Sequence, residues 1–135
     1  MMAEISARVV ALEILNGVIY QKQNLDDVFD AKVQSLDARD RSFIRMLVTT
    51  TLRRMGQIDE ALHQFMTQKL PFNALIVENI LRLAICQILF MNTPHFAAVD
   101  TAVKMTRFYK KDGFVKLVNA LLRQVCRQKD ALQAQ

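Results

Sequence analysis

The chain is poor in the residues that punctuate a fold and arm a catalyst. It has 3 Gly, 2 Pro, 2 Cys, 2 His and no Trp in 135 residues. So little Gly and Pro leaves few tight turns to build β-hairpins from. A phosphate-cradling loop needs several glycines close together, and Gly17, Gly56 and Gly113 lie far apart. Two cysteines, Cys86 and Cys126, cannot make a disulfide framework, and both sit in apolar helical surroundings, as reduced core residues of a cytosolic protein do. Neither has a base near it in sequence to make it a nucleophile. His63 has no second ligand at metal spacing and reads as a surface residue; His95 follows Pro94 at a helix start, where it caps or packs. No acidic cluster resembles a metal site. The N-terminus MMAEISAR lacks a basic region followed by an apolar core, so no secretory signal is visible. These absences argue against an enzyme in this chain alone and for a cytoplasmic, globular protein.

Apolar helix-forming residues are what the chain has in abundance. Hydrophobic residues make up 52% and charged ones 23%, as in a globular domain and unlike a disordered chain. The length suits a single domain spanning 1–135. The centre is Asn73 to Met91, NALIVENILRLAICQILFM, with no Gly or Pro inside it. Glu78, Asn79, Arg82 and Gln87 form a narrow polar stripe on an otherwise apolar helix. Such a helix needs neighbours on most sides, so it reads as the buried axis of a bundle. The charges inside a run barely long enough to span a bilayer argue against a membrane helix.

Around this axis the 3.6-residue period predicts six more helices. The first runs from Glu4 to Tyr20, with Ile5, Val9, Leu12, Leu15 and Ile19 on one face and Arg8 off it, solvated; Gly17 hints at its end. Asn24 caps the second, whose stripe is Leu25, Val28, Phe29, Val33 and Leu36. Asp37 caps the third, and Asp40 completes an approximate capping box. Arg41 and Arg45 lie on its outer face, with Asp37 placed to pair with Arg41; Arg53 and Arg54 complement the dipole at its end, where Gly56 fits a left-handed stop. The fourth spans Gln57 to Met66. Thr93 caps the sixth with Pro94 in its first position, and Phe96, Val99, Ala102, Val103 and Thr106 point inward until Asp112-Gly113 breaks it. The seventh runs from Phe114 to Arg127, and the tail KDALQAQ frays or leads onward. Seven helices with short connections and no strand give an all-α bundle.

The net charge of +5 is unevenly placed. Residues 1–100 carry 10 basic and 11 acidic side chains; residues 101–135 carry 8 basic and 2 acidic. Lys104, Arg107 and Lys111 form a ridge on the sixth helix, Lys116, Arg123 and Arg127 share a face of the seventh, and Phe108 and Tyr109 lie among the cations with Lys110. Interleaved aromatic and basic side chains can stack bases while neutralising phosphates. From charge alone a polyanion partner and a merely solvated face both stay open.

Arg39-Asp40-Arg41, Thr51-Leu52-Arg53-Arg54, Gly56-Gln57-Ile58-Asp59, Leu81-Arg82-Leu83-Ala84, Thr93-Pro94-His95, Ala98-Val99-Asp100-Thr101-Ala102-Val103 and Val118-Asn119-Ala120-Leu121-Leu122-Arg123 together resemble the NusB-like domain. Their order and spacing are most similar to the N-terminal version in the Fmu/Sun family of ribosomal RNA cytosine-C5 methyltransferases. The resemblance covers almost the whole chain. It implies an all-helical fold of two small subdomains and an RNA-binding role. It implies a parent enzyme that methylates a cytosine of 16S rRNA with S-adenosylmethionine, held in a catalytic domain absent from this chain. The antitermination factor NusB has an arginine cluster in its first helix, where only Arg8 stands here; it ends its last motif with an acid, where this chain has Arg123. The catalytic cysteines of the methyltransferases, one after Pro and one after Thr, have no match, because Cys86 follows Ile85 and Cys126 follows Val125. The expected RNA contacts are therefore Arg8, Lys104, Arg107, Lys110, Lys111, Lys116, Arg123 and Arg127. NusB also pairs with a ribosomal protein, and Asp26, Asp27 and Asp30 offer a matching acidic surface. An antitermination factor, or a module bracing the catalytic domain, are the alternative readings.

Overall fold

Leu75–Phe90, the helix named α5 below, is the axis that the apolar run implies. In a computed structural model that describes Met2–Ala134, with side chains from Ile5 onward, it is preceded by α1 (Met2–Tyr20), α2 (Leu25–Val33), α3 (Ala38–Arg53) and α4 (Met55–Phe65). It is followed by α6 (His95–Phe108), α7 (Val115–Arg127) and α8 (Lys129–Gln133), with single 3-10 turns at Phe72–Ala74 and Asp112–Phe114. No strand occurs among the described residues. The helix α5 packs against α1, α3, α4, α6, α7 and α8. On one side α1, α2 and α3 pack together; on another α6 and α7 pair; α4 bridges α5 and α7. One continuous apolar core, from Ile5 of α1 to Leu132 of α8, joins both groups. Phe72–Phe90 is long and apolar enough to cross a membrane, but most of it is buried inside this bundle.

Local signals explain several boundaries. The side chains of Asn24 and Asp37 accept from the backbone N–H groups of Asp27 and Asp40, at 3.2 and 2.8 Å, so each caps its helix as the sequence predicts. Other boundaries differ. Gly56 takes no left-handed conformation; it is the second residue of α4, which starts at Met55 because Arg54 alone makes the bend. Pro94 has ψ 137°, so it caps α6 from outside rather than opening its first turn. The sixth helix ends at Phe108, where Lys110 turns left-handed at φ 59°; Asp112-Gly113 forms the next 3-10 turn instead of breaking the helix. Lys22 and Asn92 are left-handed too, and behind them Gln23 and Thr93 donate to the carbonyls of Gly17 and Gln87, six residues back. Gly17 is small for a packing reason: a Cβ there would stand 2.5 Å from Gln23 Oε1 and 3.3 Å from Val28. The tail is an eighth helix. Leu132 enters the core, and the Gln133 amide donates to the Leu89 carbonyl at the end of α5.

The polar stripe of α5 lies inside the protein. Asn79, Arg82 and Gln87 are buried against α1 and α4. Arg82 Nε and Nη2 donate to the two oxygens of Asp59 on α4, at 2.7 and 3.2 Å. Its Nη2 reaches Glu78 at 3.0 Å, and its Nη1 donates to Asn79 Oδ1 at 2.8 Å. Asn79 Nδ2 then donates to Asn16 on α1 at 2.6 Å, and the Tyr20 hydroxyl donates to Glu78 at 3.1 Å. Burial and then the Glu78 carboxylate push the Tyr20 hydroxyl up to about 12. Burial pulls the Arg82 pKa down, but the hydrogen bond and charge of Asp59 outweigh it, so the guanidinium stays charged. A buried arginine with two carboxylates and an amide is a fully partnered network. It fixes the register of α1, α4 and α5 against one another.

Candidate nucleic-acid interface

The helix α6 carries two competing apolar stripes. Ala98, Thr101, Ala102, Met105 and Thr106 are the ones buried against the bundle, because small side chains let α6 approach α5 closely. Thr101 and Thr106 satisfy their hydroxyls on the carbonyls of Ala97 and Ala102, each at 2.8 Å. The other stripe, Phe96, Val99 and Val103, turns toward α7. Phe96, expected inside, is 78% exposed.

Between these helices runs an open groove of about 610 Å³. Its floor is Val99, Val103, Val115 and the half-buried Cys126. Its rim brings Arg107 of α6 together with Arg123 and Arg127 of α7, and Phe96 and His95 stand at the mouth. Arg123 and Arg127 also border a second shallow groove, with Lys116, Gln124 and Phe65 at the end of α4. The two arginines therefore form a ridge between two concave surfaces. Arg123 is steadied by donating from Nε to Asn119, one turn back, at 3.2 Å.

The sequence-derived cations divide into groups. Arg107, Lys116, Arg123 and Arg127 line this double groove. Lys104 and Arg107 are partly neutralised: Lys104 pairs with Asp100 at 2.9 Å and Arg107 with Asp112 at 3.7 Å. Lys110 is exposed and Lys111 half-buried in the turn that follows α6. The T-shaped pair Phe108–Tyr109, with centroids 5.1 Å apart, precedes that turn. Burial and then Glu13 push the Tyr109 hydroxyl up to about 12, so it stays neutral.

Arg8 is placed differently. It is half-buried rather than solvated, Nε donates to Gln87 at 2.8 Å, and its guanidinium lies 5.2 Å from the Phe43 ring centroid. It joins α1 to α3 and α5 and lines neither groove. Burial lowers its pKa. Sequence reasoning missed Phe96, His95, Asn119 and Cys126 as neighbours of the arginines. The available signal was the pair of alternative apolar stripes on α6, only one of which could face α5.

Burial pushes the Cys126 thiol up, against the pull of Arg123, Lys129 and Arg127, so it is not a ready thiolate. Burial does the same to Cys86, against the Thr51 hydrogen bond and the charges of Arg53 and Arg54. Among the described residues no three His, Cys, Asp or Glu side chains gather to hold a metal ion. The chemistry on offer is anion binding by guanidinium forks beside an exposed aromatic ring.

A family model for the NusB family matches residues 5–127. This chain belongs to the NusB family. The crystal structure of T. maritima NusB superposes with a TM-score of 0.79 at 20% identity, covering 93% of this chain and 91% of that one. It therefore shares the NusB fold, with eight α-helices among the described residues against the seven read from the sequence. The chain is also 25% identical over 128 residues to ribosomal RNA small subunit methyltransferase B of Escherichia coli O1:K1 / APEC, and 26% identical over 129 residues to that of Klebsiella pneumoniae (strain 342). These matches cover 95 and 96% of this chain but 30% of each relative. The enzymes named in those matches are thus much longer chains than this NusB-family unit.

Proposed function

We propose that this chain is the RNA-docking unit of a ribosomal RNA cytosine-C5 methyltransferase, presenting 16S rRNA to a catalytic domain outside it. The observation that carries the reading is the double groove, where Arg123 and Arg127 meet Arg107 and Phe96 on one side and Lys116 on the other. Phosphates would sit on the guanidinium groups, and an unstacked base could lie on the ring. Lys104, Lys110 and Lys111 extend the positive field around the turn after α6. Arg8, bonded to Gln87 and set apart from both grooves, is the weakest of the candidate RNA contacts. S-adenosylmethionine, the methyl donor of the proposed parent, belongs to the catalytic part. Phosphate contacts give affinity and register, whereas choice of target rests on base contacts and on the catalytic domain.

The exposed carboxylates Asp26, Asp27 and Asp30 on α2 favour a second reading, a stand-alone antitermination factor that holds a basic ribosomal protein there. A competition experiment separates the two. Displacement of a labelled 16S rRNA fragment by its unlabelled self, but only weakly by a scrambled sequence, is the expected outcome. Equal displacement by both, together with capture of a ribosomal protein after RNase treatment, would favour the second reading.

A further inference from the structure

The even charge balance of residues 1–100 hides a local excess. Residues 38–54, which make α3 and its cap, contain five arginines, no lysine and a single acid, Asp40. Arg39, Arg41, Arg45, Arg53 and Arg54 are all exposed, and Met46 beside them is 55% exposed. The expected pair between Asp37 and Arg41 does not form; the Asp37 carboxylate is spent on the helix cap. Among the described residues none of these five arginines is within ion-pair distance of a carboxylate, whereas Lys104 and Arg107 on α6 are. Two of the five lie over aromatic rings. The Arg45 guanidinium lies 4.0 Å from the Phe29 centroid and that of Arg54 lies 5.0 Å from Phe90. Stacking restricts the side chain while leaving N–H groups at the guanidinium edge to donate; Arg54 uses one of them, Nη1, on Gln57 Oε1 at 3.2 Å.

We infer that the outer side of α3 is a second RNA-backbone docking surface, separate from the α6–α7 groove. Arg41, Arg45 and Arg53 are four and eight residues apart, so they climb about 18 Å of one helix side at 1.5 Å per residue. The step from Arg41 to Arg45, about 6 Å, is close to that between successive phosphates of a nucleic-acid strand, and the step from Arg45 to Arg53, about 12 Å, is close to two of them. Arginine used throughout, with planar forks and no lysine, fits phosphate oxygens better than a diffuse counter-ion role. The dipole accounts for Arg53 and Arg54 at the last turn but not for Arg45 in mid-helix, and it disfavours Arg39 and Arg41 in the first turn. The helices α1 and α5 lie between α3 and the α6–α7 pair, so one RNA reaching both surfaces would have to bend around the bundle, or two segments would have to be held at once. The inference rests on the RNA-binding reading of the chain.

The test is fluorescence anisotropy with a labelled single-stranded RNA of mixed sequence, on the full chain and two variants. Arg41→Gln/Arg45→Gln/Arg53→Gln is the main one. Arg41→Gln/Arg53→Gln spares the stacked Arg45 and guards against any loss of packing on Phe29; thermal melts check that both remain folded. The expected result is at least a tenfold loss of affinity in the triple variant, with a salt slope shallower by about 2 in log–log units, and about 1.4 in the double variant. Unchanged affinity and slope in both folded variants, while Arg107→Gln/Arg123→Gln/Arg127→Gln weakens binding, overturns the α3 surface and leaves the groove standing. Loss in the α3 variants alone supports the α3 surface and removes the groove. Displacement of the RNA by poly-glutamate as strongly as by unlabelled RNA would assign α3 to an acidic protein and overturn the inference.

Discussion

Replacing Arg107, Arg123 and Arg127 together with glutamine weakens RNA binding by about two orders of magnitude without unfolding the chain. Each arginine loses a charge-assisted contact worth on the order of 1 kcal/mol once solvent is counted, and 1.4 kcal/mol is a factor of ten. Three such losses fall on one groove, because Arg107 faces Arg123 and Arg127 across it, and those two also border the second groove. The salt dependence should flatten by about 2 in log–log slope, at roughly 0.7 per contact for single strands. The three side chains are exposed, so thermal stability should stay within about 0.5 kcal/mol of the parent. The Asp112 carboxylate that pairs with Arg107 would be left free, adding some repulsion toward RNA. Anisotropy titration beside a thermal melt reads both expectations.

Asp59→Ala should cost about 3–5 kcal/mol of folding stability, the largest loss expected from any single charged residue here. Arg82 would keep Glu78 and Asn79 but lose both hydrogen bonds of its bidentate partner, with its side chain only 10% exposed. Water reaches so buried a guanidinium poorly, so much of the lost interaction is not regained. The damage should spread, because Asn79 and Asn16 hang on the same network. Urea melts read the loss as a lower midpoint at unchanged slope. A cycle with Arg82→Met gives the coupling: the double variant should lose less than the sum of the two single losses, since Asp59 and Arg82 no longer leave each other unpaired, while Glu78 keeps the Tyr20 hydroxyl as a donor. Midpoints that shift by less than about 1 kcal/mol in the single variant would show that the pair behaves as a surface bridge.

These two expectations mark where the sequence could and could not be read. Periodicity located α5 as the axis because twelve apolar side chains cover nearly every side of it. It could not tell that Asn79, Arg82 and Gln87 face inward, because a polar stripe on a buried helix looks the same whether it meets water or a partner on a distant segment. Asp59 and Asn16, 23 and 63 residues away from their partners, complete that stripe. The basic character of α6 and α7 was legible from charge counting. Their groove was not, because it depends on which of two apolar stripes on α6 meets α5, and hydrophobicity alone points Phe96 inward. Small residues won that contest: Ala98 and Ala102 permit a closer helix approach than Phe96 and Val103. Nothing in the sequence of α1 signals that Arg8 meets Gln87 and Phe43. The arginines of α3 were averaged away by acids elsewhere in residues 1–100.

The most direct measurement is RNA binding by this chain across a range of salt concentrations, by anisotropy with a 16S rRNA fragment. An RNA-docking unit gives tight binding at low salt, with log affinity falling linearly against log salt at a slope of about −2 or steeper, as three or more phosphate contacts require. No binding at low salt, or an affinity indifferent to salt, would contradict RNA docking and leave the basic grooves as the seat of a protein domain.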